Sequence, residues 1–479
     1  MKEVVYPSQL KVAEENLMSL GTSEDELILR ASTALANKAI ELALGGEILV
    51  VAGKGNNGCD GLETARILRE KGEKVSVFTF GGNEGNLKRI EKLKALKVPF
   101  VSDISGDYAL IVDCIFGIGL TRKAEGEYKK AIDAINESKA LVLSADVPSG
   151  LNSYTGEAYD ASVEADYTLT FSYIKSGLIL GEGLNYCGKI EVDEIGIPCP
   201  ALGYIVDGEE ASLPKRKRVT HKGNYGRVSV IGGCENMVGA PLMSFESAVA
   251  AARAGAGLTT LCVPEEAKCA YQARVKETML NFLPSKNGKI VFDERALKKI
   301  MANSNSIAVG MGMGKSDDTA KIVAYLAKNF DGTLVIDADG LNSIADDTSV
   351  IENATANLIL TPHIGEFNRL DKSNGELVER AKKLAKKLNA VVAVKSSTTV
   401  ITDGNEVYFN LTGTPALAKG GSGDVLAGVT AALSCVLSPL KATVSACYHF
   451  GKAAERAVKR LNSETSVLAS DVIIELAKE

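Results

Sequence analysis

Apolar runs that end in a glycine-rich turn and then give way to a helical pattern recur along this chain. Glu47-Ile48-Leu49-Val50-Val51 leads into Gly53-Lys54-Gly55, and the pattern restarts at Gly226-Arg227-Val228-Ser229-Val230-Ile231. Strands joined through helices predict parallel sheets with helices on both faces, an α/β fold of three αβα layers. Further strands are expected at 74–80, 108–116 and 140–146, then at 306–310, 333–339, 358–362 and 390–395. Ser23 followed by Glu26 predicts the capped start of a long helix that ends at Gly45-Gly46.

The 479 residues exceed what one hydrophobic core supports, roughly 250–300 residues. The run from Asp207 to Arg218 is charged, contains proline and has no period, so we expect domains at 1–212 and 213–479. A net charge of −6 argues against a general nucleic-acid binder, which needs a concentrated basic surface. The nine cysteines form no Cys-x-x-Cys pair and sit among apolar neighbours, as small core residues of a reducing compartment do. Three histidines make a histidine-based zinc site improbable. No apolar stretch reaches the roughly 18 residues of a membrane span, so a cytoplasmic chain without membrane or nucleic-acid partners is expected.

The first glycine loop runs Gly53-Lys54-Gly55-Asn56-Asn57-Gly58-Cys59-Asp60-Gly61, between a strand and a helix. Ligands bind at such strand ends in open α/β sheets, and amide N–H groups at a helix start favour anions. Two other acids end strands on the same side: Asp113 before Phe116-Gly117-Ile118-Gly119-Leu120, and Asp146 before Val147-Pro148-Ser149-Gly150. Each alone could merely form a turn; three together point to a site. The loop lacks the GxGxxG spacing of a dehydrogenase, which disfavours hydride transfer.

GKGNNGCDG, DCIFGIGL and SADVPSGLNSYTG together resemble the NAD(P)H-hydrate epimerase family over residues 1–212. That resemblance implies a Rossmann-like domain that interconverts the R and S hydrates of NADH and NADPH (NADHX and NADPHX). It implies substrate contacts from Asn56, Asn57, Gly58, Cys59 and Asp60, from Gly117, Ile118, Gly119, Leu120, Thr121 and Arg122, and from Asp146 as the catalytic carboxylate. It also implies a potassium ion held by Asn57, Asp113 and Ser149, all oxygen donors of the kind a hard cation takes. Cys59 stands where the family has a glycine, tolerable if the backbone there has negative φ. Thr121 stands where a basic residue is usual, which leaves the basic partner of Asp146 open.

In the second half, Gly420-Gly421-Ser422-Gly423-Asp424 opens an apolar helix. Unhindered N–H groups there form an anion hole, and an acid in the first turn is placed to take or orient a hydroxyl proton. The loop is not a Walker A sequence. It resembles the anion-hole signature of the ribokinase-like superfamily. With HKGNYGRVSVIGG, ESAVAAARAGAGLTTL, VGMGMG, TPHIGEFNRL and TGTPALAKGGSGD, the half resembles ADP-dependent NAD(P)H-hydrate dehydratase. The resemblance implies a ribokinase-like αβα domain in which ADP, with magnesium, phosphorylates the hydrate's hydroxyl so that phosphate leaves in place of hydroxide. It implies substrate contacts from Gly312, His363, Ile364, Gly365, Glu366, Phe367, Asn368 and Arg369. Lys395, Ser396, Asn410, Thr412, Gly413, Gly420, Gly421, Ser422 and Gly423 would surround the nucleotide, with Asp424 as base. Lys395 either neutralises phosphate or extends from a strand end to solvent. His449 is expected to be structural, and Lys419 either binds phosphate or is solvated.

The expected protein is thus a bifunctional repair enzyme, a homo-oligomer whose small-molecule partners are NADHX, NADPHX and ADP. The alternative is a kinase for a vitamin-like alcohol with an N-terminal ligand-binding domain.

Overall fold

The computed structural model describes residues 2–120, 122–235 and 239–478. It divides into two compact units, Lys2–Gly203 and Tyr204–Glu479. Among the described residues no helix is long and apolar enough to cross a membrane.

The first unit is built on a parallel sheet in the order Val75–Thr79, Ile48–Ala52, Leu110–Cys114, Leu141–Ala145, Tyr167–Phe171, Lys189–Asp193. Ile48–Ala52 and Leu110–Cys114 are buried throughout, as strands covered on both faces must be. The strand order reverses between these two, and the crevice beyond their carboxyl ends is where such sheets bind ligands. Ser23 caps the helix Glu24–Ala43 by accepting from the Glu26 amide at 3.2 Å. Glu26 does not complete the reciprocal capping box; its carboxylate accepts from Arg30 at 2.6 Å. The strand Glu3–Val5 pairs in parallel with Ile174–Lys175, Val5 opposite Lys175, and leads directly into the helix Pro7–Ser19.

The second unit has the strand order Met279–Leu283, Leu258–Pro264, Arg227–Ile231, Ser306–Val309, Thr333–Ile336, Asn357–Leu360, Ala390–Val394, Thr399–Thr402, Val407–Asn410. The strands are parallel through Ala390–Val394, and the next two turn back antiparallel. The reversal point lies between Arg227–Ile231 and Ser306–Val309. The helix Ser422–Leu433, whose residues from Val425 onward are all buried, packs on Gly239–Arg253. Gly428 permits this approach, since a Cβ there would lie 2.0 Å from the Ser247 carbonyl oxygen.

The break between units falls earlier than residue 212. Tyr204 and Ile205 pair in parallel with Tyr408 and Phe409, and Val206 and Ala211 are buried in the second unit's core. The charged run that suggested a linker begins only after the chain has joined the second sheet.

Candidate active sites

In the first unit the predicted residues gather around a cavity of about 600 Å³. Asn56, Asn57 and Asp60 reach it from the helix Asn56–Glu70, Gly117 to Leu120 and Arg122 from the loop after Leu110–Cys114, and Asp146 from the end of Leu141–Ala145. Gly58 serves the loop differently. A Cβ there would sit 1.9 Å from the Gly53 carbonyl oxygen, so only glycine lets the loop close. Cys59 is helical with negative φ, which is why it replaces glycine without strain. Its thiol is buried, is pushed up by that burial and faces the neighbouring groove with Arg89, not the cavity. Thr121 lies outside the described residues.

Asp146 has φ +67°, a left-handed conformation that costs a non-glycine residue energy and is characteristic of functional sites. Its carboxylate is ion-paired with Lys175, a wholly buried lysine that also donates to Thr170 Oγ1 at 3.0 Å and to the Phe171 carbonyl at 2.9 Å. Lys175 is therefore the basic partner that the sequence left open. Three more carboxylates line the cavity, those of Glu14, Glu24 and Asp60. Burial, then Asp146, pushes Glu14 up to about 7 and raises Asp60 well above the usual carboxylate range.

Behind the cavity, Asp113 is wholly buried. Its Oδ1 accepts from Ser149 Oγ at 2.6 Å and from the Ile115 amide at 3.1 Å; its Oδ2 accepts from the Ser149 amide and Ser144 Oγ, both at 2.9 Å. The neighbouring Asn57 amide nitrogen is buried without a hydrogen-bond partner among the described residues. Turning that amide over would place an oxygen in the same position, because the two ends of an asparagine are sterically alike. An uncompensated buried carboxylate, a hydroxyl and a free amide oxygen are a donor set that fits a monovalent cation.

In the second unit two strand ends meet the glycine helix. Lys395, just after Ala390–Val394, donates to Asp337 Oδ1 at 2.8 Å. A Cβ on Gly423 would lie 3.0 Å from Lys395 Nζ and 3.4 Å from Asp337 Oδ2. The glycine thus keeps the helix start, the ammonium and the carboxylate in one small space. Burial, then Asp337, raises Asp424 to about 7, with Lys395 pulling the other way. Burial opposes the charge of Lys395, but Asp337, Glu366 and Asp424 together outweigh it and hold the ammonium above its ordinary range. Gly421 caps the helix with φ +95°, a conformation glycine adopts freely.

His363 caps the short helix Ile364–Leu370, its Nδ1 accepting from the Gly365 and Glu366 amides at 3.0 and 3.3 Å. Its backbone bridges to Lys395, which brings these two predicted residues together. Gly312 has φ +65° in the turn after Ser306–Val309. Arg369 donates to Asn342 at 2.6 Å, Asn368 accepts from Arg380 at 3.1 Å, and Ser396 donates to the Thr398 carbonyl at 2.6 Å. Asn410 and Thr412 bond each other at 3.0 Å, and the Gly413 amide donates to Glu455 at 3.1 Å.

Phe367 is placed otherwise than expected: its ring is wholly buried in the core, where it supports the helix rather than facing a ligand. Lys419 is exposed, and its ammonium donates to the carbonyls of Thr465 and, at 2.8 Å, Val467. His449 Nε2 lies 2.8 Å from the Ala211 carbonyl, in keeping with a structural role. Asp337 and Asp339 were missed. Asp339 accepts from the Gly314 amide at 2.7 Å, tying the turn after Ser306–Val309 to the next strand end.

A family model described as NAD(P)H-hydrate dehydratase matches residues 228–477, and one described as YjeF-related protein N-terminus matches residues 24–177. A bifunctional NAD(P)H-hydrate repair enzyme Nnr of Thermofilum pendens is 33% identical over 461 residues, which span 90% of this chain and 87% of the relative. The chain belongs to the bifunctional NAD(P)H-hydrate repair enzyme family. A family member from Coxiella burnetii is 34% identical over 496 residues, covering 98% of each chain. A ribokinase-like superfamily protein of Enterococcus faecalis, a solved structure, aligns with 58% of this chain and 94% of its own at 25% identity, with a TM-score of 0.50. Both halves of the family's architecture are therefore present, and the site geometry above lies within them.

Proposed function

We propose that the first unit interconverts the R and S epimers of NADHX and NADPHX, and that the second dehydrates the S epimer at the expense of ADP. The observation that carries the second activity is Asp424 in the first turn behind Gly420–Gly423, beside the Lys395–Asp337 pair. The glycine amides and Lys395 bind the terminal phosphoryl group of ADP. Asp424 takes the proton of the substrate hydroxyl as its oxygen bonds to phosphorus and AMP departs. The C–O bond then breaks with its electron pair on phosphate, and loss of the neighbouring ring proton restores NADH. In the first unit Asp146, fixed by Lys175, is the acid/base group of epimer exchange.

Among the described residues no three His, Cys, Asp or Glu side chains converge as a metal cage. Magnesium, which screens phosphate charge, would then be held chiefly by the nucleotide, as is usual for that ion. Asn57, Asp113 and Ser149 would hold potassium, which supplies the positive charge that buried Asp113 lacks.

One assay separates this reading from a small-molecule kinase. NADHX epimers are incubated with ADP or ATP while NADH absorbance is followed. Recovery of NADH from both epimers is expected; a stable phosphorylated product and no NADH would favour the kinase.

A further inference from the structure

The helix Pro7–Ser19 buries Pro7, Leu10 and Ala13. Glu14, one turn beyond Leu10, shares its stripe and faces the first cavity together with Asp146 and Lys175. Among the described residues no hydrogen bond or ion pair engages its carboxyl, in contrast to Asp146, which is locked to Lys175. The cavity therefore presents one salt-bridged carboxylate, Asp146, and two carboxyls with no hydrogen bond or ion pair among the described residues, Glu14 and the more deeply buried Asp60. We infer that Glu14 is the general acid of epimer exchange, with Asp146 as its base; this rests on the epimerase reading of the first unit.

The chemistry requires two such groups. Hydration of an enamine leaves the hydroxyl on the ring carbon bonded to nitrogen. To invert that carbon, its C–O bond must break and reform from the other face. Glu14 gives its proton to the departing oxygen, the C–O electron pair leaves with water, and the nitrogen lone pair forms the C=N bond of an iminium. Water then bonds to the same carbon from the opposite side and passes a proton to Asp146. The other epimer runs these steps in reverse, so no oxidant, reductant or further reactant is needed. Pairs of carboxyls in unlike environments divide acid and base roles in this way.

Charged groups facing Glu14 are Asp146, Lys175, Asp60, Glu24, Lys54 and Arg122 from other elements, and Lys11 and Glu15 on its own helix. Burial and Asp146 bring its carboxyl to about 7, so the donating form prevails below that pH and is lost above it.

The test uses the full chain and follows epimer exchange by proton NMR, with the uncatalysed rate subtracted. In the wild type, kcat/KM for exchange should fall as pH rises through about 7. Glu14→Gln should lower kcat by about 100-fold or more and abolish that fall. Glu14→Asp should recover part of the rate. ADP-dependent dehydration of the S epimer in the same samples should be unchanged, and the melting temperature of the first unit should match the wild type, which guards against misfolding. Exchange by Glu14→Gln at the wild-type rate overturns the inference alone. So does a raised KM with kcat intact, or a lost rate with the fall above pH 7 preserved. A wild type that exchanges no epimers overturns the functional reading and this inference with it.

Discussion

Lys395 and Asp337 meet 2.8 Å apart although their strands are separated in the sheet by Asn357–Leu360. Asp337 is nearly inaccessible, so the pair stands largely out of water. Removing one partner of such a pair leaves a buried charge unmatched. Asp337→Asn is expected to destabilise the second unit by about 3–5 kcal/mol, and the double variant Asp337→Asn/Lys395→Met by less than the two single losses combined. Urea denaturation of the four chains measures this, and strict additivity would show that the two residues do not interact.

Asp424 must be ionised to act as a base, and its carboxyl is held near 7. Dehydratase kcat/KM should therefore decline as pH falls below about 7. Asp424→Asn should abolish dehydration and leave epimer exchange intact; loss of both activities would contradict two separate sites.

Gly423→Ala puts a methyl group 3.0 Å from Lys395 Nζ, the mobile end of a long side chain. The fold should survive, while the space needed by a phosphoryl group shrinks. We expect the KM for ADP to rise at least about tenfold, roughly 1.4 kcal/mol, with an unchanged melting temperature. Unaltered nucleotide affinity would place the phosphate elsewhere.

Asparagine tolerates left-handed backbone better than most residues. Asp146→Asn should thus keep the wild-type melting temperature of the first unit and lose epimer exchange. Lys175→Met should also lose exchange, because Asp146 is then unanchored. Circular dichroism and the exchange assay together decide the matter, and an active Lys175→Met would rule out the anchoring role.

Much of this was legible in the amino-acid order. Asp113 and Asp146 were visible because each ends an apolar run at a strand's carboxyl end, the position that binds ligands in such sheets. The same rule applied to Thr333–Ile336 would have found Asp337. Lys175 carries a weaker signal, a single lysine between Ile174 and Ser176 in an otherwise apolar stretch. Glu14 carries none, since its position depends on the pairing of Glu3–Val5 with Ile174–Lys175, a contact between distant segments. The family motif also marked Phe367, but adjacent helical residues point in different directions, and this one turns inward. The domain break was misplaced for a related reason: charge and proline describe the run after Asp207, not the short pairing that precedes it.

That short pairing bears on how the two activities could be separated by truncation. A fragment starting at 213 would lack Tyr204 and Ile205, the residues that cover Tyr408 and Phe409. Val407–Asn410 would then become a bare sheet margin, with unmet amides and carbonyls free to recruit another molecule. Cutting ahead of Tyr204 keeps that margin closed, so the few residues before the charged run would decide whether a severed dehydratase half stays dispersed or clumps.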